Sequence, residues 1–187
     1  MRLGILGGTF DPPHVGHLLA ASDAFEKLEL DRLLFIPAAT HPFKGDRVGA
    51  TPPQRLDMLA LVIADDARFG IDTIEIERPG LSYTVDTLTD LARRYPDAER
   101  FFLIGEDLVD QVATWRAPER LTQLVEIVVL ARSSEPGTAA PRFRRLETRR
   151  VDVSSTEIRA RARAGLSLHG FVPDAVAAYI RDAGLYR

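Results

Sequence analysis

At 187 residues, 45% hydrophobic and with a formal net charge of −3, the chain suits one compact domain with a sizeable core, and it is too acidic for a general nucleic-acid binder. It has no cysteine, which excludes disulfide frameworks, thiolate catalysis and the usual structural zinc ligands. No apolar run approaches the ~20 residues of a membrane helix, and Gly7-Gly8 breaks the first apolar stretch too early for a signal peptide, so no membrane partner and a cytoplasmic location are expected.

In chain order, Arg2–Leu6 reads as a short buried strand and Val15–Leu28 as a helix with apolar residues at helical spacing. Arg32–Pro37 (RLLFIP) is a second apolar strand, followed by a Pro-, Gly- and Thr-rich loop from Ala38 to Pro53. Pro53–Asp66 is a helix with proline in its first turn. Gly70–Glu77 (GIDTIEIE) alternates and predicts a strand; Thr84–Tyr95 predicts a helix capped by Thr84 and stopped by Pro96. Arg100–Ile104 is a strand ending at Gly105, Leu121 falls in a helix, and Glu126–Ala131 is another buried strand. Ser133–Pro141 reads as a surface loop, Val151–Val153 as a short strand, and Ser155–Ala164 and Pro173–Ala183 as closing helices. Strands alternating with helices predict an α/β fold, a Rossmann-like doubly wound parallel sheet in a single domain over 1–187, with a small helical region from about 154 to the end.

The stretch GGTFDPPHVGH holds more than a turn requires. Gly7 and Gly8 fall just beyond the carboxyl end of the first strand, where open parallel sheets bind ligands, and glycines there let backbone N–H groups approach an anion. His14 and His17, at i and i+3, share one face of the first helical turn and can aim at the same anion. The dinucleotide fingerprint G-x-G-x-x-G and the P-loop pattern are absent, as is the H-E-x-x-H metal motif. Farther on, Ser154 and Glu157 form an S-x-x-E capping pattern, and the same helix start, with Ser154, Ser155 and Thr156 and Arg159 one turn in, suits a phosphate. Gly105 follows a strand and can line the crevice, and Asp107 can accept from ribose hydroxyls. Trp115, the single tryptophan, has polar neighbours and can stack on an aromatic ring.

GGTFDPPHVGH, VSSTEIR, the Gly105-x-Asp107…Trp115 segment and SYTVDTL resemble, in family order, the H-x-G-H nucleotidyltransferases, and within them the bacterial nicotinate mononucleotide adenylyltransferases. The closing FVPDAVAAYIRDAGLY stretch is also similar to that family and is expected to be structural. The resemblance implies transfer of the adenylyl group of ATP to nicotinate mononucleotide, forming deamido-NAD and pyrophosphate in NAD biosynthesis. It implies that His14, His17 and Arg159 are catalytic, and that Gly7, Gly8, Thr9, Phe10, Gly105, Asp107, Ser154, Ser155 and Thr156 join them around ATP. Asp11, Lys44, Tyr83, Thr84, Trp115 and Arg132 are implied around the mononucleotide, Tyr83 and Thr84 through N–H groups that suit a carboxylate better than an amide. A histidine at the α-phosphate is worth most when cationic. The HPFKGD loop departs from the family's P-P-H-K pattern: Lys44 keeps its place, while Phe43 stands where the family's histidine would be. Mg²⁺ is expected on the ATP phosphates, with no protein ligand. The sequence allows a homo-oligomer without specifying one. An adenylyltransferase for phosphopantetheine or nicotinamide mononucleotide, or a non-catalytic nucleotide-binding module, stays open as an alternative.

Overall fold

The computed structural model describes residues 1–39, 49–64, 66–78, 80–131 and 142–187. The expectations for Lys44, Arg132, the HPFKGD segment and the 133–141 loop lie outside the described residues.

The strands are β1 (Arg2–Gly8), β2 (Arg32–Pro37), β3 (Phe69–Ile71), β4 (Glu99–Gly105), β5 (Glu126–Ala131) and β6 (Arg144–Glu147). The helices are α1 (Val15–Lys27), α2 (Pro52–Ile63), α3 (Ile74–Glu77), α4 (Thr84–Arg94), α5 (Pro118–Leu124), α6 (Ser155–Arg163) and α7 (Asp174–Asp182), with a 3₁₀ segment at Glu106–Thr114. All pairings are parallel, in the order β3-β2-β1-β4-β5-β6. That is the doubly wound order, with its switch point between β1 and β4, and the expected Rossmann-like α/β architecture is observed.

The strands are apolar nearly throughout because helices cover both faces of the sheet. Alternate residues go to opposite sides. Leu34, Ile36, Phe102, Ile104, Ile127 and Val129 pack with Val85, Leu88 and Leu91 of α4. Leu33, Phe35, Phe101, Leu103, Val128 and Leu130 pack on the other side with Ala21 and Ala24 of α1. A third cluster joins Met58 and Val62 of α2 to Ile158 of α6 and Val176 and Ile180 of α7, so the closing helices form the expected helical region.

Three local expectations are corrected. GIDTIEIE is a strand only to Ile71, because the Asp72 carboxylate accepts from the Ile74 N–H at 3.0 Å and turns the chain into α3. The last strand is Arg144–Glu147 rather than Val151–Val153. Only Leu146 of RRLE is buried, so this edge strand lacks an apolar run, while Val153 packs into the third cluster. The α4 N-cap is Tyr83, with Thr84 the first helical residue. At α6, Ser154 caps as expected, its hydroxyl accepting from the Glu157 N–H at 3.2 Å.

Candidate active site

Beyond the carboxyl ends of β1 and β4 lies a cavity of about 860 Å³, large enough for a dinucleotide-sized ligand. Gly7, Gly8 and Thr9 line it after β1, His14 and His17 at the start of α1, and Gly105 and Asp107 after β4. Tyr83, Thr84 and Trp115 line it near the start of α4. These ten sequence-predicted residues therefore share one space.

The histidine pair is built by packing. His14 is 5% exposed, and the two imidazoles lie 3.8 Å apart at 32°. Phe10, beneath them, meets the His17 ring edge-on at 5.1 Å. Glycine 16 completes the H-x-G-H pattern sterically: a Cβ there would sit 3.0 Å from His14 Nδ1 and 3.1 Å from Cε1. Gly8 likewise leaves room for the Phe10 ring, which a Cβ would approach to 2.9 Å. The His14 backbone N–H donates to His17 Nδ1 at 3.2 Å. An accepting Nδ1 carries no proton, so this bond selects the tautomer protonated at Nε2.

Another part of the cavity wall is formed by α4 and the 3₁₀ segment. Trp115 packs edge-on against Phe102 at 6.2 Å, and the Arg116 guanidinium lies 4.9 Å over the Tyr83 ring. Arg116 also faces Asp86 at 3.5 Å, with 60% of its side chain exposed. The first N–H groups of α4, at Thr84 and Val85, precede the intrahelical ladder, which begins with the Asp86 N–H bonded to the Tyr83 carbonyl.

Several predicted site residues stand outside the lining. Phe10 is 2% exposed and belongs to the core under the histidines. Asp11 is 3% exposed; its Oδ2 accepts from the Gly49 N–H at 2.8 Å and its Oδ1 from the Ala50 N–H at 3.1 Å and the Tyr186 hydroxyl at 2.7 Å. Those three donors fill the carboxylate, and Asp11 is not among the residues that line the cavity. Arg159 donates to the Asp11 carbonyl at 2.7 Å, and Ser155 to the Pro12 carbonyl at 2.9 Å. Ser155 and Arg159 thus adjoin the histidine loop, and Ser154, Ser155, Thr156 and Arg159 are not among the residues that line the cavity. Ser155 and Arg159 bond the backbone of that loop.

Other residues at the site were not read from the sequence. Glu75 lines the cavity, its Oε1 accepting from the Thr87 hydroxyl at 2.8 Å; burial pushes its carboxyl above the usual range, and that bond offsets the rise only in part. Arg149 lines the opposite side and grips the buried Asp23 through Nη2 at 2.6 Å and Nε at 3.0 Å. Arg55, 1% exposed, donates to the carbonyls of Thr9 at 2.6 Å, Ala38 at 2.6 Å and Ala39 at 3.2 Å. An arginine inside the otherwise apolar face of α2 was the one available sequence signal for it. Among the described residues, no group of three or more His, Cys, Asp or Glu side chains is placed to hold a metal ion, and no helix is long and apolar enough to cross a membrane.

Residues 5–161 match the model of the cytidylyltransferase-like family. A probable nicotinate-nucleotide adenylyltransferase of Gemmatimonas aurantiaca is 48% identical, with 100% of this chain and 93% of that one covered. One from Thermus thermophilus is 47% identical over the full length of both chains. The chain belongs to the nicotinate-nucleotide adenylyltransferase family. Among solved structures, the Plasmodium falciparum nicotinic acid mononucleotide adenylyltransferase complexed with NaAD superposes with a TM-score of 0.82 at 17% identity, covering 99% of this chain and 97% of that one. That likeness is one of fold. It assigns this member of the adenylyltransferase family the same doubly wound sheet, with the cavity at the switch point where such sheets take nucleotides.

Proposed function

We infer that the chain is a nucleotidyltransferase that moves the adenylyl group of ATP to nicotinate mononucleotide, giving nicotinate adenine dinucleotide and pyrophosphate, a step of NAD biosynthesis in the cytoplasm. The observation that carries this reading is a single cavity with the histidine pair at one end and the start of α4, flanked by Trp115, at the other.

An oxygen of the mononucleotide phosphate attacks the α-phosphorus of ATP in line; the bond from that phosphorus to the bridging oxygen breaks, and pyrophosphate leaves with the electron pair. The attacking phosphate is already ionised, so no general base is needed, and the chain supplies position and charge stabilisation. His17 donates from Nε2 to the α-phosphate, with His14 packed against it and the N–H groups of Gly8 and Thr9 alongside. Gly105 and Asp107 take the adenosine, Asp107 accepting from ribose hydroxyls. The β- and γ-phosphates extend toward the start of α6, where Thr156 is exposed beside Arg159. Trp115 stacks on the pyridine ring, and the N–H groups opening α4 receive its carboxylate, an anion that a helix start favours over a neutral amide. Mg²⁺ arrives on the ATP phosphates as part of the substrate, and no step is assigned to it.

Pyrophosphate release with nicotinate mononucleotide, nicotinamide mononucleotide and phosphopantetheine as rival acceptors tests the assignment. Fastest turnover with the nicotinate form is expected; a preference for phosphopantetheine refutes the acceptor, and ATP binding without release of pyrophosphate refutes catalysis.

A further inference from the structure

The histidine loop is held almost entirely through its backbone. Arg55 takes the carbonyl of Thr9, Arg159 that of Asp11 and Ser155 that of Pro12, while the Val15 N–H donates to the Phe171 carbonyl at 3.1 Å. The Asp11 side chain also anchors the loop, and its partners come from two distant places. Gly49 and Ala50 lead into α2, and Tyr186 follows α7.

Tyr186 is 7% exposed and bonds Asp11 Oδ1 at 2.7 Å across 175 residues of sequence. Burial first, and the hydrogen bond to Asp11 second, push its hydroxyl well above the usual tyrosine range, so it remains a proton donor at any working pH. Its backbone lies at φ 64°, a left-handed conformation costly for a bulky residue, so the surrounding packing sets the direction of the phenol. A residue needed only for its apolar volume would not require the hydroxyl: phenylalanine fills the same space without a buried polar atom.

We propose that Tyr186 is a positioning residue of the transfer reaction, acting through the Asp11 carboxylate to fix the loop that presents His14 and His17. Nothing in Tyr186 touches the cavity. Its effect travels from hydroxyl to carboxylate to the turn at Pro12–Pro13 and so to the imidazoles, whose tilt relative to an α-phosphate governs transfer far more than ground-state binding. Reaction geometry is sensitive on this scale, since a misplacement of ~1 Å costs about 10²-fold in rate.

The test is Tyr186→Phe, which removes one oxygen and keeps the ring. This inference rests on the proposed adenylyl transfer, so the wild type is assayed first; a wild type that releases no pyrophosphate refutes that transfer, whereas the positioning role is judged separately from the imidazole NMR signals. The variant is expected to lose about 10- to 100-fold in kcat with KM for ATP within about twofold, and to shift the His14 and His17 signals while those of the exposed His169 stay in place. Unchanged kcat, or unmoved His14 and His17 signals in a folded variant, overturns the proposal. Should Tyr186→Phe fail to fold, Asp11→Asn decides: the same fall in kcat at steady KM supports the role, and wild-type turnover overturns it.

Discussion

Arg159 places its guanidinium 2.7 Å from the main-chain oxygen of Asp11, three residues before His14. Its second nitrogen reaches the Thr156 hydroxyl at 3.3 Å. An arginine whose spacing suggests a phosphate ligand is thereby also a brace for the loop that bears the histidines. The start of α6 and the start of α1 are brought side by side by this contact and by Ser155, which bonds the next carbonyl.

His17→Ala removes the Nε2 donor at the α-phosphate. Loss of one such preorganised donor costs ~10²–10³ in rate. Steady-state kinetics should give a fall of that order in kcat with a smaller change in KM for ATP; near-normal turnover would place the chemistry elsewhere.

Trp115 is the only tryptophan in the chain, so tryptophan emission, excited selectively, reports on this one position. Titration with nicotinate mononucleotide should change the emission, and adenosine alone should leave it nearly constant. Trp115→Ala should raise KM for the mononucleotide by roughly tenfold, the loss of ~1–3 kcal/mol of base–aromatic stacking. An unchanged KM would remove Trp115 from the site.

Arg55→Leu leaves the carbonyls of Thr9, Ala38 and Ala39 without their donor in a buried region. Each orphaned buried group costs about 1–3 kcal/mol. Denaturant unfolding should therefore record a loss of roughly 3 kcal/mol or more, and a loss below 1 kcal/mol would mean that water replaces the guanidinium at little cost.

Glu75 carries a pH signature. Burial raises its carboxyl above the ordinary value of 4.5, so between that value and the raised one the folded protein holds a proton that the unfolded chain has released. Stability from this group is complete below the unfolded pKa and declines as pH rises through the window. Glu75→Gln keeps an oxygen for the Thr87 hydroxyl and abolishes the titration. Its melting temperature relative to wild type should climb as pH rises above 4.5; a flat difference would show that Glu75 is solvated.

Much of the architecture was legible locally. RLLFIP and EIVVLA are continuous apolar runs, and β2 and β5 have the predicted bounds because burial on both faces leaves no other reading. GIDTIEIE misled because its alternation continues past Asp72, whose side chain ends the strand, and a competing side chain-to-backbone bond leaves no trace in hydrophobic periodicity. RRLE carries no strand signal, because an edge strand with one buried residue has no period to detect.

The motif GGTFDPPHVGH determined, from spacing alone, that two imidazoles would share a helical turn beside a glycine-lined strand end. What faces the ligand and what holds the frame was decided only in three dimensions. Asp11 and Arg159 look like ligand-binding groups in the sequence, yet their partners lie 175 and 148 residues away in the chain, at Tyr186 and at Asp11 itself. A polar side chain satisfies whichever buried donor or acceptor folding brings within hydrogen-bond reach, and that choice depends on contacts no local pattern encodes.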